Sequence, residues 1–454
     1  MEMDLDLDDD DQFAELNAAF TAWLAGSSGV VLNPKIGLQD LRSSSAGRGV
    51  IALAPLAQDE TVLALPRASV LSVANSELFE KLREELSTLD SWLALIIVLI
   101  YETRPSSPWK PYIDLLPRTF DTLMYWSTAE LAELQGSAVV AKIGRAEADV
   151  VFREKLWPIV KKHQELFSDT EIAPDLAIDA IGSLVDAAHR MGSVIMSYSF
   201  ELELPGSDSA SDSGSEDEEE DGRFYKGMVP MADMLNADAG RNNCRLFQTP
   251  TTLEMRTTVA IPAGAELFND YGALPRSDLL RRYGYITENY ARHDVVEVSS
   301  GLLTTVAGRA LDPEDRTKRI DFLLDEGVLD DAFDIGTDLR VPDDVLVVIG
   351  TLLHPREQWR EVKPRKSEAV ARVLLEVLET RLGAYESGVE EDEALLRDQT
   401  VQGRRRIAVE VRLGEKKIIV GALAKVREWT PPDSAKRTET DAPDGERAGK
   451  RAKR

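Results

Sequence analysis

The residues of this chain that are best suited to chemistry are phenols placed beside glycines. Phe268-Asn269-Asp270-Tyr271-Gly272 predicts a strand that runs into a turn, and Tyr283-Gly284-Tyr285 places two more phenols at the end of a short predicted helix, residues 277–283. A phenol stays protonated near neutral pH, so it can orient a ligand by hydrogen bonding, and its ring face can stabilise a cation. Each segment by itself is equally typical of a simple turn or of core side chains.

Two further segments can hold a polar ligand. Gly47-Arg48-Gly49 directly precedes a predicted strand, and glycine there lets backbone amides approach a ligand closely, although glycine pairs are also common in tight turns. No helix follows, so the segment is neither a Walker nor a Rossmann fingerprint. Asp233 and Asn236 lie three residues apart in an apolar stretch, so they either satisfy local backbone groups or hold a ligand.

The remaining reactive side chains predict no metal centre. Cys244 is the only cysteine, which excludes an intramolecular disulfide and a cysteine-based zinc cluster and fits a reducing compartment. The histidines at 163, 189, 293 and 354 have no carboxylate or cysteine at metal-ligand spacing. In so acidic a chain, pairs of Asp and Glu usually belong to solvated faces, so nothing points to a hydrolase.

The charge balance favours a protein partner. The formal net charge of −27 repels nucleic-acid phosphates and anionic membranes, so we expect a basic protein or peptide, no direct contact with nucleic acid and no membrane. The longest apolar run, residues 92–101, is about half of the ~20 residues that a membrane span needs. Residues 1–11 lack the basic start and apolar core of a secretory signal.

Apolar periodicity predicts short strands that alternate with helices. Strands are expected at 49–54, 61–65, 244–248, 253–258 and 265–269, with the third and fourth forming a hairpin around Thr249-Pro250-Thr251. Helices are expected at 92–103, 146–167, 174–197, 368–385 and 392–429. Because strand patterns fade after about residue 312, the sequence predicts a second, helical domain there.

Taken together and in order, these segments resemble the SET-domain lysine methyltransferases of the Rubisco large-subunit and ribosomal-protein methylating type. The matching segments are Gly47 to Pro66, Pro108 to Tyr112, Ser197 to Phe200, Met228 to Asn236 and Ile261 to Tyr285. The helical region after Asp312, including Arg404 to Ile419, resembles the family's substrate-binding domain. Within the family the chain most resembles members that methylate ribosomal proteins in fungi, and their animal nuclear relatives.

The resemblance implies an α+β fold: an interrupted SET domain of short β-strands with a helical insert, followed by an all-α C-terminal domain. Residues 1–25 would be an acidic segment and helix, and residues 26–290 the SET domain, with its insert at about 90–200 and a disordered acidic loop at 205–224. Residues 300–430 would form the helical substrate-binding domain, and residues 431–454 a basic disordered tail.

The resemblance also assigns roles to single residues, with S-adenosyl-L-methionine as the cofactor and Tyr271 as the catalytic tyrosine. Cofactor contacts are expected at Gly47, Gly49, Ala52, Leu53, Ala54, Tyr198, Asn236, Ala237 and Tyr283. Substrate contacts are expected at Trp109, Ser199, Glu201, Tyr271 and Tyr285. The family has a histidine where this chain has Ala237; that position binds adenine chiefly through its main chain, although the lost side chain can weaken cofactor affinity.

Methyl transfer from a sulfonium to a lysine amine is an in-line displacement that needs neither a metal nor a covalent intermediate. The amine must be neutral, whereas free lysine has a pKa of about 10.4, so a narrow, desolvated channel beside a cationic sulfonium favours the reactive form. Tyr271 can orient the cofactor or the amine without acting as a general base, and the ring faces of Tyr283 and Tyr285 can stabilise the sulfonium.

Three functions stay open at this point. The first is methylation of lysine, with a basic ribosomal protein of the large subunit as target and a nuclear protein as the alternative. The second is a non-catalytic SET-fold binding module, motivated by Ala237. The third is methylation of histidine.

We expect a monomer, in the nucleus rather than the cytoplasm. Lys436-Arg437 and the cluster at 450–454 resemble a bipartite import signal, although such a tail can also be a solubilising end.

Overall fold

The computed structural model describes residues 6–44, 46–172, 180–204, 224–354 and 359–429. Several expectations therefore lie outside the described residues: the acidic loop at 205–223, the start of the helix expected at 174–197, and the basic tail at 431–454 with its import signal. The chain divides into two compact units, residues 1–294 with 387–414 and residues 295–386 with 415–454.

The strands of the first unit are short: β1 (Val31–Leu32), β2 (Ile36–Asp40), β3 (Arg48–Ala52), β4 (Thr61–Pro66), β5 (Ser199–Glu203), β6 (Phe224–Met228), β7 (Asn236–Ala237), β8 (Cys244–Gln248), β9 (Thr252–Thr257) and β10 (Glu266–Asn269). They form one sheet in the order β1-β4-β9-β8, a second in the order β2-β3-β10-β7, and the pair β5-β6. The β7-β10 pairing is parallel, and the other pairings are antiparallel.

The helices of the first unit are α1 (Asp6–Gly26), α2 (Glu77–Lys81), α3 (Arg83–Leu86), α4 (Ser91–Tyr101), α5 (Lys110–Ile113), α6 (Thr128–Ala132), α7 (Arg145–Val151), α8 (Trp157–Lys162), α9 (Ala180–Tyr198) and α10 (Arg276–Tyr283). Helix α4 confirms the helix expected at 92–103. Asp90 caps it by accepting a hydrogen bond from the Leu93 N–H (2.8 Å), and residues 93–101 are all buried, as in a helix that lies inside a core. Within the described residues, no helix combines the length and apolar character that crossing a membrane requires.

The predicted hairpin is also confirmed. Strands β8 and β9 pair from Cys244 opposite Thr257 to Gln248 opposite Leu253. The hydroxyl oxygen of Thr249 accepts a hydrogen bond from the Thr252 N–H (2.9 Å) and closes the turn. Side chains of β9 alternate between half-buried and buried positions, because successive residues of a strand face opposite sides of a sheet.

The single helix expected at 146–167 is wrong, because the structure breaks it. A π-helical turn, Phe152–Leu156, separates α7 from α8, and the Trp157 N–H donates to the Phe152 carbonyl oxygen. Pro158 follows directly and has no N–H to donate to the carbonyl four residues back. A widened turn of this kind accommodates the missing hydrogen bond.

The second unit contains α11 (Ser300–Ala307), α12 (Pro313–Asp325), α13 (Asp343–Leu353) and α14 (Glu368–Leu382). It is mainly helical, as expected, but it also contains an antiparallel pair, β11 (Val295–Ser299) and β12 (Ala332–Gly336). The sequence did not reveal this pair because α11 and α12 separate its two strands in the chain, so no hairpin pattern marks it. Its Phe333 and Ile335 point into the apolar core of the unit, with Val296 and Val298 of β11.

The long helix expected at 392–429 is two helices, α15 (Val389–Arg397) and α16 (Gly403–Arg427). Asp398 ends the first by accepting a hydrogen bond from the Thr400 N–H (2.8 Å), and Gly403 has a positive φ of 59° that glycine adopts at little cost. Residues 387–414 belong to the first unit, whereas the plan drawn from the sequence assigned them to the C-terminal domain; that plan stays a prediction.

Candidate active site

The sheet that contains β3, β10 and β7 brings together segments that lie far apart in the sequence. Leu267 of β10 is opposite Val50 of β3, and on its other side β10 pairs Phe268 with Asn236 and Asn269 with Ala237. The Gly47-Arg48-Gly49 segment and Asn236 therefore meet across β10, and the chain leaves β10 directly towards Tyr271.

The side-chain amide of Asn236 forms the centre of this meeting point. Its nitrogen faces three oxygens: Oε1 of Glu266 (2.7 Å), the carbonyl of Arg48 (3.2 Å) and the carbonyl of Ala46 (3.4 Å). Within the described ranges no donor reaches its Oδ1. Because the nitrogen side is occupied, the amide can offer only an acceptor to a ligand.

The two glycines of the Gly47-Arg48-Gly49 segment have different structural roles. Gly47 has a positive φ of 65°, and no atom lies within 4 Å of the place where a Cβ would stand, so it turns the chain and leaves open space. A Cβ on Gly49 would lie 2.5 Å from Leu41 Cδ1, 2.8 Å from Glu266 Oε1 and 3.1 Å from Asn236 Nδ2. Gly49 therefore makes room for the side chains around it.

The tyrosines expected at the site form one group. The rings of Tyr271 and Tyr283 stack with centroids 4.3 Å apart, and Tyr285 meets Tyr283 edge-on at 6.4 Å. The Tyr271 hydroxyl donates to the carbonyl of Leu235 (3.4 Å), and the Tyr285 hydroxyl donates to that of Ala237 (3.2 Å). Both phenols thus contact the backbone on either side of Asn236.

Burial keeps these phenols protonated. It raises the pKa of Tyr271 well above the ordinary value, and it raises the pKa of Tyr283 to about 12. Burial also raises the pKa of Tyr285, and the nearby phenols Tyr290 and Tyr283 add to the effect. The group can therefore donate hydrogen bonds at neutral pH without adding an unpaired buried charge.

Tyr198 ends α9 beside the same group. Burial, and then the negative charge of Asp233, raise its pKa to about 12, while Arg48 acts in the opposite direction. The preceding residue ties α9 to the end of α10, because the Ser197 hydroxyl donates to the carbonyl of Arg282 (2.7 Å). The end of α9 is thereby linked to the residue just before Tyr283.

Asp233, which the sequence singled out together with Asn236, forms a buried pair with Tyr112, and the sequence did not predict this pairing. The Tyr112 hydroxyl donates to Oδ2 of Asp233, and Oδ1 of Asp233 is buried without a hydrogen-bond partner. Burial raises the pKa of Asp233 to about 8. Met231, two residues earlier, has a positive φ of 74°, which a side chain larger than glycine adopts only under strain. The signal for Asp233 in the sequence is a carboxylic acid within an apolar run of residues.

The predicted cofactor contacts Ala52, Leu53 and Ala54 lie apart from the group around Asn236. Ala52 ends β3 and donates its N–H to the Ala265 carbonyl (2.9 Å), and Leu53 donates its N–H to the Lys35 carbonyl (2.7 Å). At about 3.3 Å per residue along a strand, Ala52, Leu53 and Ala54 are roughly 10 Å or more from Gly49. The structure does not bring them to Asn236.

The predicted substrate contacts Trp109, Ser199 and Glu201 lie in different parts of the first unit. Trp109 is buried edge-on against Trp23 of α1, with centroids 5.9 Å apart, so it packs in the core rather than with the tyrosine group. Ser199 follows Tyr198 directly and pairs with Met228 in the β5-β6 pair. Glu201 is exposed on the same strand, 3.5 Å from Lys226.

The side chains of the site are not arranged as the ligands of a metal centre. Among the residues that the structure describes, no three His, Cys, Asp or Glu side chains converge as metal ligands would. Cys244 is buried, and burial raises the pKa of its thiol to about 12, so it is not a reactive thiolate.

Two family models match the chain. Residues 47–272 match the SET domain, and residues 330–419 match the Rubisco LSMT substrate-binding domain. The first match contains the glycine segment, Asn236 and Tyr271, and it ends at Gly272. Tyr283 and Tyr285 follow it closely in the chain.

Known proteins with similar sequences are named as lysine methyltransferases. Ribosomal lysine N-methyltransferase 4 of Saccharomyces cerevisiae is 34% identical over 300 residues, which cover 63% of this chain and 59% of the relative; the chain thus spans less than two thirds of that protein. N-lysine methyltransferase setd6 of Xenopus laevis is 30% identical over 361 residues, 76% of this chain and 75% of the relative.

Solved structures of Rubisco LSMT have the same fold. One, bound to lysine and AdoHcy, has a TM-score of 0.68 at 20% identity and covers 91% of both chains. Another, bound to AdoMet, has a TM-score of 0.68 at 21% identity, with 91% of this chain and 92% of the other covered. With a relative 30% identical over three quarters of its length and a SET domain that contains Asn236 and Tyr271, the chain belongs to the SET-domain protein-lysine N-methyltransferases, which use S-adenosyl-L-methionine as methyl donor.

Proposed function

We propose that this chain methylates a lysine side chain of a ribosomal protein of the large subunit, and that the group around Asn236 and Tyr271 is its active site. The observation that carries the site is the convergence of Asn236, Tyr271, Tyr283 and Tyr285 around one short stretch of backbone, residues 235–237. The target class is supported by the yeast relative, which is named a ribosomal lysine N-methyltransferase, and by the net charge of −27, which attracts basic proteins.

The residues present fit S-adenosyl-L-methionine, which supplies an activated methyl group on a sulfonium sulfur when bound. Oδ1 of Asn236, which no donor from the described residues reaches, is an acceptor suited to the ammonium of the methionyl end. The open space beside Gly47 leaves main chain accessible. Main-chain atoms of Ala237 can serve the adenine end without a histidine side chain, and Tyr198 and Tyr283 would line the pocket.

The tyrosines prepare the substrate amine. Their burial excludes water, so a charged lysine is disfavoured there and the neutral amine is the form that attacks. The bound cofactor would supply the methyl group to the lone pair of the neutral Nζ, and the buried tyrosine group would keep the amine in that form. The Tyr271 hydroxyl orients the reacting groups, and the ring faces of Tyr283 and Tyr285 stabilise positive charge by about 0.5–2 kcal/mol each.

Labelling tests this function. The purified chain is incubated with S-adenosyl-L-methionine carrying an isotopically labelled methyl group and with a ribosomal extract, and the labelled residue is identified by mass spectrometry. We expect label on a lysine of a large-subunit protein, and its loss with Tyr271→Phe. Label on histidine, or only on proteins of a parallel nuclear extract, would contradict the proposed residue or target.

A non-catalytic binding module is the second candidate, and Ala237 in place of the family histidine is the observation that favours it. This alternative predicts that titration calorimetry detects no uptake of S-adenosyl-L-methionine by the purified chain.

We place the protein in the nucleus, with the cytoplasm as second choice, because of the basic clusters at 436–437 and 450–454. A fluorescent fusion with and without residues 431–454 tests that location.

A further inference from the structure

We propose that Glu266 is a positioning residue for the cofactor: its carboxylate fixes the side-chain amide of Asn236 so that Oδ1 faces the ligand. This inference rests on the proposed role of Asn236 in holding the methionyl end of S-adenosyl-L-methionine. Neither Glu266 nor its strand position was expected to act at the site. The sequence singled out the segment that follows it closely, Phe268 to Gly272.

The distances around Asn236 identify Glu266 as the main partner. The hydrogen bond to Oε1 of Glu266 is 2.7 Å long, against 3.2 Å and 3.4 Å for the two backbone carbonyls. A carboxylate is also the stronger acceptor, because hydrogen bonds to charged groups are shorter and stronger than neutral ones. Turning the amide over would place Oδ1 against three oxygens, so the observed orientation is the favoured one.

Glu266 has no competing role among the described residues. No Lys or Arg lies within ion-pair distance of its carboxylate there. Its backbone is held instead: the Glu266 carbonyl accepts a hydrogen bond from Asn243 Nδ2 (2.9 Å), and Oδ1 of Asn243 accepts one from the Phe268 N–H (2.8 Å). The Asn243 side chain thus binds the backbone of β10 on both sides of Leu267. With the strand held in this way, the Glu266 side chain points at Asn236.

Gly49 supports the same interpretation. The place of its missing Cβ lies 2.8 Å from Glu266 Oε1 and 3.1 Å from Asn236 Nδ2, so any larger residue would push against the hydrogen bond that joins them. Gly49 therefore provides space for the Glu266–Asn236 pair. This gives the second glycine of the segment a function other than contact with the ligand.

Calorimetry with two ligands tests the inference. S-adenosyl-L-methionine carries the methionyl ammonium, whereas 5′-methylthioadenosine keeps the nucleoside and the sulfur but lacks the amino-acid end. We expect Glu266→Ala to weaken binding of the first about ten-fold, or about 1.4 kcal/mol, and to leave binding of the second unchanged. Glu266→Gln keeps an acceptor oxygen in the same place and should restore most of the affinity.

The controls separate positioning from folding. Glu254→Ala removes a half-buried carboxylate from β9 in the neighbouring sheet and should leave both affinities unchanged, and thermal unfolding without ligand reports the stability of each variant. In a double-mutant cycle, Gly49→Ala and Glu266→Ala should be less than additive, because both disturb one hydrogen bond.

Two outcomes overturn the inference: Glu266→Ala binds S-adenosyl-L-methionine as tightly as the unmodified chain, or it weakens both ligands to the same extent. A third outcome is different in kind. If the unmodified chain binds no S-adenosyl-L-methionine, the proposed function itself fails, and the assignment of Glu266 fails with it.

Discussion

Tyr271 and Tyr283 stack face to face, with ring centroids 4.3 Å apart and planes inclined by 18°. The two rings come from different elements, the turn after β10 and the last residue of α10. Their contact fixes the Tyr271 ring, whose hydroxyl points at the Leu235 carbonyl. A phenol held by a second phenol in this way loses little entropy when ligands bind.

Tyr271→Phe should lower turnover about a hundred-fold, the scale expected when one preorganised hydrogen bond at a reacting centre is lost. Affinity for S-adenosyl-L-methionine should change by no more than about three-fold, because the stacking ring remains. Steady-state kinetics and calorimetry on the same preparations measure the two effects. Unchanged turnover would remove Tyr271 from the mechanism.

Gly284→Ala should damage the tyrosine group through the backbone. Gly284 ends α10 with a positive φ of 81°, and a Cβ there would lie 2.7 Å from the carbonyl carbon of Asp121 and 2.8 Å from the Thr122 nitrogen. Neither backbone atom can move as a flexible side chain would, so we expect a loss of about 2 kcal/mol or more in the free energy of unfolding. Urea unfolding followed by tryptophan fluorescence measures it. Gly264→Ala, with a φ of 82° and no atom within 4 Å, is the matched control and should lose only the cost of the strained φ.

Asp233→Asn should change how stability depends on pH. Burial raises the pKa of Asp233 to about 8, far above the ordinary value of about 3.9. Between these values the folded chain keeps a proton that the unfolded chain releases, so this group makes the free energy of unfolding decrease as pH rises. The variant lacks this titration and should gain at least about 1 kcal/mol relative to the original chain between pH 5 and pH 8.

Asp238→Asn is the control for that experiment. Burial acts to raise the pKa of Asp238, but hydrogen bonds from Arg241, Gly240 and Asn289 outweigh it and lower the pKa below the ordinary value. Its contribution is complete above about pH 4 and is lost only in more acidic solution. Asp238→Asn should therefore be destabilising by the same amount at pH 5 and pH 8. Parallel curves for both variants would contradict the raised pKa of Asp233.

Arg276→Ala should destabilise the first unit by about 3–5 kcal/mol, because it leaves a buried carboxylate without its partner. Arg276 begins α10 and binds Asp294 with its side chain (Nε to Oδ2, 2.9 Å) and its backbone N–H (3.0 Å to Oδ1); both side chains are less than a tenth exposed. Urea unfolding measures the loss. Arg281→Ala, in a less buried pair on the same helix, should cost clearly less, and equal losses would mean that burial of the pair is unimportant.

Local patterns in the sequence were sufficient for several elements and for the phenols of the site. The apolar run at 92–101 is α4, and the Thr249-Pro250-Thr251 turn joins β8 to β9. Periodicity failed at 146–167, where Pro158 widens the helix, and at 332–336, where the strand pairs with a partner that lies two helices earlier in the chain. Such elements depend on one missing hydrogen bond or on a partner strand elsewhere in the chain.

The sequence by itself determined the family, the order of the segments and the residues Asn236, Tyr271 and Tyr283, because these types and spacings are local properties of the chain. Only the tertiary structure decided what surrounds them: Glu266 on the amide of Asn236, the space at Gly49, Tyr112 on Asp233, and the distance of Ala52 to Ala54 from the group. Each of these is a contact between segments far apart in the sequence or a position along a strand. The pairing of β3, β10 and β7 sets all of them except the contact of Tyr112 with Asp233, and no pattern within a single segment encodes that pairing.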